Sequence, residues 1–148
     1  MGRVGIFRGV LPLLAAALLA ALLFFVQFSD EAPLFAGAQR YQFYTRSADS
    51  QACIVCADAE EAARVRRSLF GRTGESAVFA DAEEALSQAE RYGARLLFSE
   101  RAEDVTNYYY YSPHLGGCVY VAGRAVNLHV ALRGGGGCVG SPLIFGGY

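Results

Sequence analysis

The hydrophobic pattern opens with 19 consecutive uncharged residues, Val10 to Phe28. As a helix this run is about 28 Å long, the hydrocarbon thickness of a bilayer. No polar face interrupts it, which argues against a buried helix of a globular domain. Arg3 and Arg8 precede the run and Asp30 and Glu31 follow it. The arginine bias therefore predicts a single-pass cell-membrane anchor, with residues 1–9 cytoplasmic and everything after Phe28 outside. Ala36-Gly37-Ala38 resembles a signal-peptide cleavage site before Gln39, but it is displaced from the apolar run, so a retained anchor is the better reading.

Beyond the anchor, residues 29–40 mix acids, Pro33 and Gly37 without a period and read as a stalk. Tyr41 to Thr45 alternates and predicts a first strand. Val55-Cys56-Ala57-Asp58-Ala59-Glu60-Glu61-Ala62 is then echoed 23 residues on by Val78-Phe79-Ala80-Asp81-Ala82-Glu83-Glu84-Ala85, with one position different. In each copy an apolar run gives way to Asp with Glu three residues later, the pattern of a capped strand-to-helix junction. The first helix is predicted to bury Ala62, Val65 and Leu69 and to stop at Gly71; the second buries Ala82, Ala85, Leu86 and Ala89 and stops at Gly93. Glu60, Glu61, Glu83 and Glu84 sit where a helix dipole favours acids, so a paired acidic site need not be invoked.

From Arg95 the period changes to two. Leu96–Ser99, Val105–Tyr111, Cys118–Val121, Val126–Leu132 and Cys138–Phe145 read as strands, the last three separated by glycine turns. Gaps this short predict an antiparallel meander. The expected fold is α+β: an N-terminal transmembrane helix, then a domain over residues 41–148 whose largely antiparallel sheet is covered on one face by two helices.

Composition narrows function more than it assigns it. All 13 basic residues are arginine, which reads as codon bias and carries no binding signature. From Gln39 onward 11 arginines face 12 acidic residues, so no excess positive charge exists for phosphate contacts and nucleic-acid binding is not expected. The run Gly134–Gly137 lacks the Gly-Lys-Ser/Thr ending and the following helix of a phosphate loop, and reads as a hairpin turn.

Cys53-Ile54-Val55-Cys56 has the spacing of a redox pair, and Gly140-Ser141-Pro142 resembles the proline strand that faces such a pair in thioredoxin-like proteins. A thiol-disulfide oxidoreductase using Cys53 and Cys56 is therefore the alternative functional reading. Against it, a redox pair needs its first cysteine at a helix start, whereas Ile54 and Val55 read as strand interior, where residues three apart face opposite sides. Cys118 and Cys138 do not form the second close pair of a zinc site, and no metal or other cofactor is expected. Outside the cytoplasm the four cysteines allow three disulfide connectivities, of which a Cys118–Cys138 bridge between strands is preferred.

In the strand from Val126, the row Val126, Leu128, Val130 and Leu132 claims the core face, so Asn127, His129 and Arg133 are expected on the opposite face as a candidate binding surface. No serine or carboxylate can be assigned to His129 from sequence, so a hydrolase triad cannot be argued. The run Tyr108–Tyr111 offers a carbohydrate or peptide platform, although alternation sends half of it into the core.

The stretch Tyr111-Ser112-Pro113, then Val126 to Arg133, then Gly140-Ser141-Pro142-Leu143-Ile144 and a terminal Tyr148 resembles the C-terminal part of the YwmB family, over roughly 40 of the 148 residues. Those are secreted or anchored proteins of spore-forming Firmicutes, termed TATA-box-binding-protein-like for their fold. The resemblance implies an extracytoplasmic α+β module of the cell envelope, with Asn127, Pro142 and Tyr148 as motif positions. The expectation is a membrane-anchored, non-enzymatic binding module for an envelope protein or a cell-wall component.

Overall fold

The computed structural model describes residues 12–22, 32–46 and 52–146. Contacts divide the chain into two units, Met1–Glu31 and Ala32–Tyr148. In the first, residues 12–22 form helix α1. Leu13, Leu14, Leu18, Leu19 and Leu22 are all exposed on it. Among the described residues no helix is long and apolar enough to cross a membrane. The rest of the expected span of residues 10–28, with the flanking charges, lies outside them.

The second unit is α+β. Its elements are β1 (Arg40–Arg46), β2 (Ala52–Asp58), α2 (Ala62–Ser68), β3 (Arg72–Phe79), α3 (Ala82–Arg91), β4 (Arg95–Ala102), β5 (Val105–Tyr111), β6 (Val119–Val121), β7 (Arg124–Val126), β8 (Leu128–Arg133) and β9 (Gly136–Ser141). Seven strands form one sheet in the order β2-β1-β3-β9-β8-β5-β4, and β6 and β7 pair as a separate hairpin. Every neighbouring pair is antiparallel. The strands β4, β5, β8 and β9 form the expected meander, from which the β6–β7 hairpin is an excursion.

Both helices serve crossovers that run in the same direction across the sheet, β2 to β3 and β3 to β4, and right-handed crossovers of one direction place their helices on one face. The core confirms it: Ala62 from α2 and Ala85 and Ala89 from α3 share one cluster with Tyr41, Phe43, Ala77, Leu128, Val130 and Val139. Helix α3 approaches β9 closely at Gly137, where an added Cβ would lie 2.5 Å from the Cβ of Ala85. Only glycine fits there.

The two echoed junctions diverge. Asp81 caps α3 as predicted, its carboxylate accepting from the backbone N–H of Glu83 at 2.7 Å and of Glu84 at 3.1 Å. Asp58 caps nothing. It pairs with Arg40 in the ladder, and Ala59 N–H donates to Gln39 O at 3.2 Å, so the backbone stays extended and α2 starts only after Glu61. Pairing of the edge strand overrides the local cap signal.

The expected stalk over 29–40 is also corrected from Ala32 onward. Phe35 is fully buried and stacks edge-on against Tyr92 at 6.1 Å, and Ala38 is buried beside it. Tyr41 OH donates to Phe35 O at 2.7 Å, Tyr92 OH to Leu34 O at 2.5 Å, and Leu34 N–H to Glu75 Oε1 at 2.5 Å. Glu75, itself buried, also pairs with Arg66 at 2.7 Å. A segment that looks irregular in sequence is held by three separate residues, Tyr41, Glu75 and Tyr92.

Candidate functional site

The sheet face away from the helices is where the sequence placed its binding surface. Cross-strand register carries a row over this face: Cys56, Gln42, Ser76, Gly140, His129, Tyr109 and Phe98. The row is covered. After β9 the chain folds back so that Ile144 N–H donates to His129 Nδ1 at 3.4 Å and Phe145 N–H to Tyr44 OH at 3.1 Å. Gly140 permits the crossing, since a Cβ there would meet Ile144 N at 2.8 Å.

His129 is therefore 6 % exposed, not part of an open surface. Its ring stacks on Tyr109 at 4.6 Å, and Tyr109 stacks on Phe98 at 4.6 Å. Because Nδ1 accepts from Ile144, Nε2 carries the hydrogen and donates to Asn107 Oδ1 at 3.0 Å. Burial disfavours the imidazolium and holds the His129 pKa down to about 4, although the charge of Glu100 acts the other way. Tyr109 OH donates to Glu100 Oε1 at 2.5 Å.

Asn127 is 1 % exposed and interrupts the strand predicted over Val126–Leu132. Its amide donates to Ser112 O at 2.7 Å and Leu115 O at 3.0 Å, while its Oδ1 accepts from Ser112 N–H at 2.7 Å. Of the three residues proposed for a surface, only Arg133 is exposed, and it pairs with Asp104 at 2.8 Å at the far end of β8. Asn127, His129 and Arg133 do not form one site. Of the other motif positions, Pro142 follows a cis bond from Ser141, and Tyr148 lies outside the described residues.

The cysteines are all free. Cys53 and Cys56 lie within β2, paired with Thr45 and Gln42, on opposite faces of an edge strand and away from any helix start. The preferred Cys118–Cys138 bridge is absent. Cys138 lies opposite Ala131 on the covered face, whereas Cys118 follows the loop that Asn127 holds at the other end of β8. Burial pushes the Cys138 thiol up to about 11.

What sequence reasoning missed is a cleft of about 520 Å³ at the end of the aromatic row, lined by Arg95, Leu96, Leu97, Tyr111, Arg124 and Ala125. Arg95 and Tyr111 are cross-strand partners, and the register slips between Leu96 and Phe98, leaving Leu97 unpaired as a bulge. The β6–β7 hairpin closes the other side. Its two-residue turn sets both central residues at positive φ, Ala122 at 48° and Gly123 at 75°. A type I′ turn requires this of any residue, and alanine accepts it at a cost of roughly 1 kcal/mol. The next residue, Arg124, donates to the Leu97 carbonyl and places its guanidinium 5.7 Å from the centre of the Phe98 ring. Leu96 is 49 % exposed and Tyr111 39 %.

Elsewhere arginines meet carboxylates: Arg64 with Glu61, Arg66 with Glu75, Arg133 with Asp104. The described residues that line the cleft include two arginines and no acid. Among the described residues no three His, Cys, Asp or Glu side chains are grouped to hold a metal. Comparison with known protein families, with curated proteins and with solved structures finds no match to this chain.

Proposed function

We propose that this chain is a membrane-anchored extracytoplasmic binding module, held by the apolar segment around α1, whose contact surface for an envelope partner is the cleft between β4 and the β6–β7 hairpin. The observation that carries the binding role is the composition of that cleft. It displays two leucines, a tyrosine and two arginines on strands, with no Ser, Thr, Cys, His, Lys, Asp or Glu among its lining residues. Tyrosine and arginine are the residue types that anchor recognition surfaces. The anchored location is supported by the exposed leucines of α1, for which lipid is a suitable environment, and by the arginine bias before it. The resemblance to the YwmB family points to the same compartment.

The test joins both parts. Carbonate-washed membranes should retain the full chain, and protease added to intact spheroplasts should digest the domain; recovery in the soluble fraction, or protection from protease, defeats the location. A photo-crosslinking residue in place of Leu96 should give a discrete adduct in native membranes, with none from the same group in place of the exposed Phe70. Equal labelling from the two positions defeats the binding site.

A further inference from the structure

We infer that the cleft between β4 and β6–β7 recognises an oxyanion, a carboxylate or a phosphate, carried on an apolar body; this rests on the reading of the cleft as the binding surface and names what binds there. Arg95 and Arg124 bring two positive charges to one concavity without a carboxylate among its lining residues. In a chain with net charge −1 this is a local excess of charge, not a general one. A guanidinium presents five N–H donors in a planar fork that matches two oxygens of a carboxylate or phosphate.

Arg124 is prepared for that role. The Leu97 carbonyl takes one N–H and the guanidinium lies over the Phe98 ring at 5.7 Å, so the remaining donors are held in place before a ligand arrives. Irregular backbone lies on both sides of this contact: the unpaired bulge residue Leu97 and, two residues before Arg124, Ala122 at positive φ. Irregular backbone of this kind concentrates at binding sites. The second half of the ligand follows from the neighbours. Leu96 and Tyr111 are half-exposed and flank the arginines, so a bare inorganic ion would leave their apolar surface wet, whereas an alkyl or aryl group beside the oxyanion would cover it.

The full chain is reconstituted in nanodiscs of phosphatidylcholine, and hexanoate, hexyl phosphate and hexanamide are followed by saturation-transfer NMR, with empty nanodiscs as the partition control. Either anion binding in preference to the amide supports the inference, and the tighter of the two identifies the oxyanion. Arg95→Gln and Arg124→Gln should each weaken anion binding by about tenfold. Should Arg124→Gln unfold the hairpin, Arg95→Gln carries the test, since Arg95 is exposed at the start of β4. Equal binding of amide and anions, no binding of any probe, or anion binding unchanged in folded Arg95→Gln overturns the inference. Crosslinking from position 96 that persists without anion binding would remove the ligand class alone and leave the binding role standing.

Discussion

Asn127 and Ser112 form a closed pair: the Asn127 amide accepts from the Ser112 N–H and donates to the Ser112 carbonyl, each at 2.7 Å. With the further bond to Leu115 O, one side chain satisfies the backbone of a loop that has no secondary structure of its own. Asn127→Ala strands these buried groups, and each stranded group costs about 1–3 kcal/mol. The expected loss is about 3 kcal/mol in urea unfolding. Asn127→Asp should fare little better, because a carboxylate cannot donate to the two carbonyls. A folded Asn127→Ala with unchanged stability would contradict the assignment.

The buried neutral His129 ties stability to pH. Its pKa is about 4 in the folded chain and near 6.5 when unfolded. Between these values the unfolded state binds the extra proton, so stability is full above about pH 6.5 and falls as pH drops toward 4, with a slope approaching 1.4 kcal/mol per unit. Below about pH 4 this contribution levels off. His129→Gln should flatten that part of the pH profile, and an unchanged slope in the variant would assign the effect to other groups.

Phe35 predicts where the mature chain begins. Cleavage after Ala38 would remove a fully buried aromatic together with the backbone that Glu75, Tyr41 and Tyr92 hold. N-terminal sequencing of membrane-extracted protein should therefore start upstream of Leu34, and a start at Gln39 would refute this. Phe35→Ala should cost about 3–5 kcal/mol, the usual range for emptying such a site.

Reduced protein should show two classes of thiol. Cys53, Cys56 and Cys118 are exposed, while Cys138 is buried with its pKa raised to about 11. Iodoacetamide at neutral pH should alkylate the first three in the native chain and Cys138 only after denaturation, because the thiolate is the reactive form. Mass spectrometry reads each site separately. Rapid native labelling of Cys138 would contradict its burial in the sheet.

Local chemistry alone determined much of the second unit. Alternation in Tyr41–Thr45 and Val105–Tyr111 specified strands, and Asp81 specified the start of α3, because those signals act within a few residues. Gly71, Gly93 and Gly134–Gly135 all take positive φ where the chain turns. Tertiary structure decided what these elements meet. Asp58 and Asp81 sit in nearly identical octets, yet only Asp81 caps a helix, because β1 holds Asp58 in its ladder. Alternation correctly separated Leu128 and Val130 from His129, but it states which residues share a face, not whether a distant segment covers that face. The tail from Pro142 does so. Arg95 and Arg124 are distant in sequence, and only the register of β4 with β5 and the return of β6–β7 bring them to one cleft. Their signal in the sequence is faint: a two-residue Ala-Gly turn between short β-branched runs, with arginine directly after it. Burial and convergence depend on pairings between remote segments, and no local pattern encodes those.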